Sequence, residues 1–102
     1  MKNTIELVQE LLKSMDNRVF LFPKFNEKVV SELNDYCVKG VFSQEEQAVI
    51  DEFVEKTAQL VTAISSITKF GIDTDLEPFK KGIIPYEKKI LLVLNSKVSK
   101  VA

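Results

Sequence analysis

Large apolar side chains recur at every third or fourth position along most of the chain, and this spacing is the feature that most limits its fold. A helix of about 3.6 residues per turn places such positions on one stripe, whereas a half-buried strand requires strict alternation. Ile5, Val8, Leu12 and Met15 form one such stripe. No segment alternates apolar and polar residues for long enough to indicate a strand. The sequence therefore predicts an all-α protein whose helices bury their stripes against one another.

Start and stop signals divide the chain into a small antiparallel bundle of four main helices plus a short helix. Ser43 and Glu46 form a capping box, whereas Gly40 and Gly71 suit helix ends. Gly82 and Pro85 are expected to separate the short helix from the last one. The main helices are expected at about Thr4–Asp16, Lys24–Lys39, Gln44–Lys69 and Pro85–Lys97, and the short helix restarts between Asp73 and Glu77.

The apolar run from Ile90 to Leu94 leaves one alternative open. Its five uninterrupted apolar residues fit a buried strand as well as a buried helix segment. With 102 residues and 45% apolar side chains, the chain is expected to form one domain over residues 1–102 with a single core.

The charge balance and the cysteine content bear on partners and compartment. The net charge is −1, and Arg18 is the single arginine beside 13 lysines, so no nucleic-acid partner is expected. Cys37 is the one cysteine, and Glu6 and Glu10 interrupt the segment where a signal peptide needs an apolar core. No membrane insertion is expected, and a cytoplasmic, bacterial protein is the interpretation that this composition favours.

Catalytic and cofactor sites are not indicated. The chain has no histidine, which removes histidine bases and most zinc or non-haem iron sites. No metal or other cofactor is therefore expected. An enzyme that uses carboxylates and lysine as acid and base stays open, provided that two of four residues are buried together in a cleft: Asp51, Glu55, Lys56 and Lys69.

Two aromatic groups beside prolines are the candidate partner-binding residues. Phe20, Phe22 and Phe25 surround Pro23, whereas Phe79 and Tyr86 flank the Pro85 region. Both groups either plug the bundle or, where they stay exposed, anchor a protein partner or a second copy.

Charge is distributed unevenly along the chain. Residues 26–55 hold eight acids and two lysines, and residues 78–102 hold six lysines and one acid. The two segments either pack beside each other or steer a charged partner to the protein.

Two resemblances bear on the fold. The chain resembles a family of short bacterial helical proteins of unknown function. The residues that carry this resemblance are Met15-Asp16, Phe22-Pro23, Lys28, Leu33, Cys37 and Thr57-Ala58. In length and helix number the chain is also similar to the immunity proteins of class II bacteriocins, which implies an antiparallel four-helix bundle. Neither resemblance implies a catalytic residue.

These observations favour a non-enzymatic protein that acts through protein–protein interaction, as an immunity or regulatory factor. A helical module that binds a small apolar ligand, in a pocket lined by Phe20, Phe22, Phe53 or Phe79, is the main alternative. The carboxylate–lysine enzyme is the other.

Overall fold

The computed structural model describes the backbone of residues 1–101 and the side chains of residues 1–98. Over residues 1–101 the chain forms four α-helices and no strand: α1 (Lys2–Asn17), α2 (Phe22–Val38), α3 (Gln44–Phe70) and α4 (Glu77–Val101). A single 3₁₀ turn, Val19–Leu21, joins α1 to α2. The predicted all-α bundle is confirmed. Ile90 to Leu94 lie inside α4, so the strand alternative is wrong.

The four helices form a closed ring in which each packs against two others. α1 packs on α2, α2 on α3, α3 on α4, and α4 returns to α1. The molecule measures 46 × 22 × 22 Å, and its cross-section fits two helices by two, since one helix with side chains is about 10–12 Å wide. Because the connections are short, successive helices run antiparallel. The α1–α2 turn and the α3–α4 loop therefore lie at the same end.

Local signals fix the two ends of α3 as predicted. The Ser43 hydroxyl accepts a hydrogen bond from the Glu46 N–H at 3.2 Å, and the Ser43 N–H donates to the Glu46 carboxylate at 2.8 Å. At the other end Gly71 has a φ of 65°, which side chains with a Cβ rarely adopt. The Ile72 N–H then reaches back to the Ser66 carbonyl at 3.0 Å and closes the helix.

The C-terminal region differs from the expectation of two separate helices. Gly82 and Pro85 both lie within α4, which begins at Glu77 and continues without a break. The Asp75 carboxylate accepts the Glu77 N–H at 3.1 Å and marks the start of the helix. The short helix predicted near Asp73 is therefore the first part of α4.

Pro85 is tolerated inside α4 because it faces solvent. Its missing N–H leaves the carbonyl four residues earlier, at Lys81, without its helical donor. Both residues are exposed, so water can satisfy that carbonyl. The opposite face of α4 is held in the core, and the residues that hold it are fully buried: Ile83, Ile90 and Leu94. Their burial outweighs the local cost of the proline.

The core consists of one apolar cluster contributed by all four helices. Its fully buried members include two aromatic rings, Phe22 and Phe53. Aliphatic side chains fill the space between them: Val8, Leu11, Val29, Leu33, Ile50, Leu60 and Ile64. At the edge of this cluster the Thr4 hydroxyl donates to the Glu32 carboxylate and joins α1 to α2.

Candidate interaction surface

The five aromatic residues predicted as partner-binding candidates differ widely in exposure. Phe20 is 59% exposed, whereas Phe22 is fully buried. Phe25, Phe79 and Tyr86 are half-buried and pack against the core cluster. Phe22 is therefore a core residue, and Phe20 is the member of the set that a partner can reach most easily.

The 3₁₀ turn explains why neighbouring aromatic residues separate in this way. Such a turn has about three residues per turn, so Val19 and Phe22 point to the same side and the two residues between them point elsewhere. The Leu21 N–H donates to the Arg18 carbonyl at 2.9 Å and fixes this geometry. Phe22 consequently enters the core, whereas Phe20 and Leu21 point outward.

Four large apolar side chains are exposed at one end of the bundle, and we call them the apolar end. Phe20 and Leu21 come from the α1–α2 turn, and Phe70 and Ile72 come from the close of α3 and the loop after it. Phe70 is 74% exposed and Ile72 54%. Phe20 lines the same groove as Lys69, which confirms that the two segments meet at this end.

Phe70 and Ile72 were not among the residues predicted from the sequence. In the structure Phe70 falls outside the row of buried α3 positions that contains Phe53, Leu60 and Ile64. An aromatic residue outside the buried row of a helix points to solvent. That inference requires the rotation of α3 in the bundle, which the periodicity alone does not give for a helix of 27 residues.

A groove of about 770 Å³ runs between α2 and α3 and opens to solvent; we call it the α2–α3 groove. Phe20 lies at one end of it, so the groove is continuous with the apolar end. Apolar side chains supply much of its lining: Phe20, Pro23, Val30, Val54, Ala58 and Val61.

Asn26 lies in the wall of this groove and is only 8% exposed. Among the described side chains its Oδ1 atom is buried and has no hydrogen-bond partner. A buried amide oxygen without a donor costs roughly 1–3 kcal/mol of folding free energy. The position was not singled out from the sequence, because a polar residue on a helix ordinarily faces water.

The two charged side chains that line the α2–α3 groove have opposite signs. Glu27 lies on the α2 side and Lys69 on the α3 side. Both are exposed, and within residues 1–98 neither forms an ion pair. Lys69 supplies a positive charge near the end that holds Phe20.

The acidic and basic segments of the chain also meet inside the molecule. Lys97 Nζ on α4 lies 2.7 Å from Glu46 Oε1 on α3. The hydrogen bond from Lys97, together with that from the Ser43 backbone, lowers the pKa of Glu46 below its usual value. The intramolecular interpretation of the charge asymmetry therefore accounts for this part of it.

Tyr86 lies where α4 faces the acidic residues of α3. Its hydroxyl interacts with the Glu52 carboxylate. This interaction is the main reason why the pKa of Tyr86 lies above its usual value. Lys89 Nζ is 5.4 Å from the centre of the Tyr86 ring, a cation–π distance. Tyr86 thus already has partners within the protein.

The residues considered for acid–base chemistry are not buried together. Asp51, Glu55 and Lys69 are exposed, and Lys56 is half-buried beside Gly82. A carboxyl group with a raised pKa occurs instead at Glu87, where burial is the main cause and the nearby Asp16 carboxylate adds to it. In the part of the chain that is described, no group of three histidine, cysteine or acidic residues is placed to bind a metal ion.

Comparison of the chain with protein-family models, with curated proteins and with solved structures returns no match. None of the helices, as far as they are described, combines the length and apolar character needed to cross a lipid bilayer.

Proposed function

We propose that this protein works without catalysis, as a small helical bundle that binds another protein through its apolar end. The observation that carries the proposal is the exposure of Phe20, Leu21, Phe70 and Ile72 at one end of the molecule. Exposed apolar clusters of this kind are costly in water and are typical of interaction sites. Two aromatic rings supply the anchors that most often dominate binding energy.

The biological role that fits such a module is an immunity factor or a regulatory factor. A protein in either role acts by occupying a surface of its target and needs no reacting group. Asp51 and Glu55 are exposed, and the chain contains no histidine, which agrees with a role of this kind. A bacterial cytoplasm is the compartment proposed for it.

A photo-crosslinking residue placed at Phe70 in the source organism tests the proposal. We expect a discrete crosslinked product that contains one partner protein. Val38 provides the matched control, because it is 88% exposed but ends α2 at the opposite end of the bundle. Products that are absent at Phe70, or that are the same at Phe70 and Val38, contradict a binding site at the apolar end.

For the apolar-ligand alternative, the α2–α3 groove is the site that holds one of its four predicted aromatic residues. Phe22 and Phe53 are fully buried in the core. Phe20 does line the groove, which is open along one side rather than enclosed. Small-molecule sites usually bury most of their ligand, so an open groove suits an elongated occupant better.

A further inference from the structure

Helices α3 and α4 pack side by side and form one long face of the bundle, which we call the α3–α4 face. Exposed residues recur along each helix at intervals of three or four, so each set forms one row. The row on α3 contains Ala48, Glu52, Glu55 and Gln59, and the row on α4 contains Lys81, Pro85, Lys89 and Leu92. The charges of the α3 row are negative and those of the α4 row are positive.

Tyr86 lies between the two rows and shows that they open onto the same face. Its hydroxyl interacts with the Glu52 carboxylate, and the Glu55 carboxylate is also close enough to act on it. On the other side, Lys89 Nζ is 5.4 Å from the centre of the Tyr86 ring. The acidic row and the lysine row are therefore neighbours across this half-buried ring.

The charges of the two rows are not neutralised by close ion pairs. Within residues 1–98 neither row takes part in one. Lys56, a further lysine of α3, extends across to α4, where its Cδ lies beside Gly82. Its charge therefore adds to the lysine side of the face.

Two adjacent rows of opposite sign restrict what can cover the α3–α4 face. An anionic surface, such as a lipid bilayer or a nucleic acid, is attracted by the lysine row but repelled by the acidic row. A cationic surface meets the reverse. Because like charges brought together across an interface are costly, the occupant that fits carries both signs side by side.

Contacts between α3 and α4 fix which residues lie at the same height. Glu46 Oε1 lies 2.7 Å from Lys97 Nζ, and one to two turns further along α3 Glu52 interacts with Tyr86. Residues between these two contacts therefore lie opposite one another in antiparallel order. Rotation by 180° about an axis that runs between the two helices, parallel to them, keeps these heights unchanged.

This rotation places α3 of a second copy over α4 of the first. Glu52 of the second copy then lies near the height of Lys89, and the charges at this contact are opposite. Leu92 is 70% exposed and lies at about the height of the exposed Ala48, so a large apolar side chain meets a small one. Because the axis is two-fold, every contact occurs twice and the assembly is closed.

We propose that the α3–α4 face binds a second copy of this chain and forms a two-fold symmetric dimer, with the two Tyr86 rings near the axis. The molecule measures 46 × 22 × 22 Å, so a long face offers roughly 1000 Å² per copy, and a stable interface needs about 800 Å² per partner. The net charge of −1 leaves little overall repulsion between copies. The face runs along the side of the bundle, so this inference is independent of the proposed function at the apolar end.

An exchange of charge between two chains tests the proposal. Glu52→Lys and Lys89→Glu each bring like charges together at both contacts of the dimer. In an equimolar mixture of the two variants, a dimer with one copy of each again has opposite charges at both contacts. Mixing cannot restore an attraction that acts only within one chain. Sedimentation velocity of the full chain at low ionic strength measures the dimer dissociation constant.

We expect either variant alone to raise the dissociation constant by at least about tenfold, and the mixture to return it to within about twofold of wild type. Glu6→Lys is the control for Glu52→Lys, because it changes the net charge equally at an exposed position of α1. It should change the dissociation constant by less than about twofold. Circular dichroism verifies that each variant is folded.

Leu92 and Ile84 provide a second, uncharged pair of positions on α4. Both are exposed, but Ile84 belongs to the stripe with Lys80 and Glu87, which faces α1. We expect Leu92→Asp to raise the dissociation constant by at least about tenfold and Ile84→Asp by less than about twofold.

Several results would overturn the proposal: a wild-type protein that stays monomeric at every concentration, charge variants that dimerise as wild type does, a mixture that does not restore the dimer, or equal effects of Leu92→Asp and Ile84→Asp. A dimer that survives all of these substitutions uses another surface. None of these results bears on the apolar end, whose test is the crosslinking at Phe70.

Discussion

Lys97 Nζ lies 2.7 Å from Glu46 Oε1, and this ion pair joins α4 to the first turn of α3. The pair adds to the capping box, because the same carboxylate also accepts the Ser43 N–H. Both side chains are mostly shielded from solvent, at 13% and 21% exposure, so the interaction is stronger than that of a fully solvated pair.

Glu46→Gln separates the ion pair from the cap. Glutamine also serves in a capping box, so the variant loses mainly the charge interaction. We expect the free energy of unfolding to fall by about 0.5–1 kcal/mol at neutral pH, measured by urea denaturation. Glu45→Gln, an exposed acid in the same turn, is the control and should change it little.

The lowered pKa of Glu46 gives this prediction a pH dependence. A carboxyl group whose pKa is lower in the folded state contributes stability above its unfolded pKa, and the contribution is lost as the pH falls through the folded pKa. The difference between wild type and Glu46→Gln should therefore be present at neutral pH and vanish in acid. A difference that persists unchanged in acid would contradict the ion pair as its cause.

Glu87 should show the opposite behaviour, because burial and Asp16 raise its pKa. Its folded state holds a proton more tightly than the unfolded state, so stability falls as the pH rises from the unfolded pKa through the folded pKa. We expect Glu87→Gln to raise the melting temperature at neutral pH and to leave it unchanged in acid. The exposed Glu6→Gln on α1 is the control; an equal gain there would rule out a local cause.

Asn26→Leu replaces the unpartnered amide by an apolar group of the same branching. We expect the free energy of unfolding to rise by about 1 kcal/mol, since a buried unsatisfied oxygen is removed. Asn34→Leu on the same helix is exposed and should bring no such gain. Chemical denaturation of both variants measures the difference, and a loss of stability in Asn26→Leu would show that the amide is satisfied in solution.

Pro85→Ala restores the hydrogen bond to the Lys81 carbonyl in the middle of α4. We expect stabilisation by about 1–3 kcal/mol, because a proline inside a helix is costly even where it faces solvent. Pro78→Ala, in the first turn of the same helix, should give no comparable gain. Thermal unfolding of the two variants checks this, and equal effects would argue against one continuous helix through Pro85.

Much of the fold could be predicted from local rules. The capping box at Ser43 and the glycines at the ends of α2 and α3 act through the backbone of their own turn, so the sequence contains the whole signal. The prediction that a separate helix begins at Pro85 was wrong, because contacts between helices rather than local signals decide the structure there. Burial of Ile83 and Ile90 against the other helices decides that region, and tertiary contacts of this kind lie outside a local pattern.

The interaction surface could be predicted only in part, because exposure depends on how each helix is rotated in the bundle. Phe20 and Phe22 are two positions apart and equally apolar, yet a single 3₁₀ turn directs one to solvent and the other to the core. Asn26 lies in the wall of the α2–α3 groove, and Phe70 belongs to the apolar end. Both surfaces form only when the four helices pack, so neither residue could be singled out from the sequence.

Calorimetric titration of the partner identified by crosslinking measures whether that protein binds at the apolar end. Three proteins are compared: wild type, Phe70→Asp and Val38→Asp. Phe70 and Val38 are both highly exposed, so neither substitution removes a core side chain. We expect Phe70→Asp to weaken binding by at least about tenfold and Val38→Asp to leave it unchanged. Equal affinity of all three proteins for the partner would rule out a binding site at the apolar end.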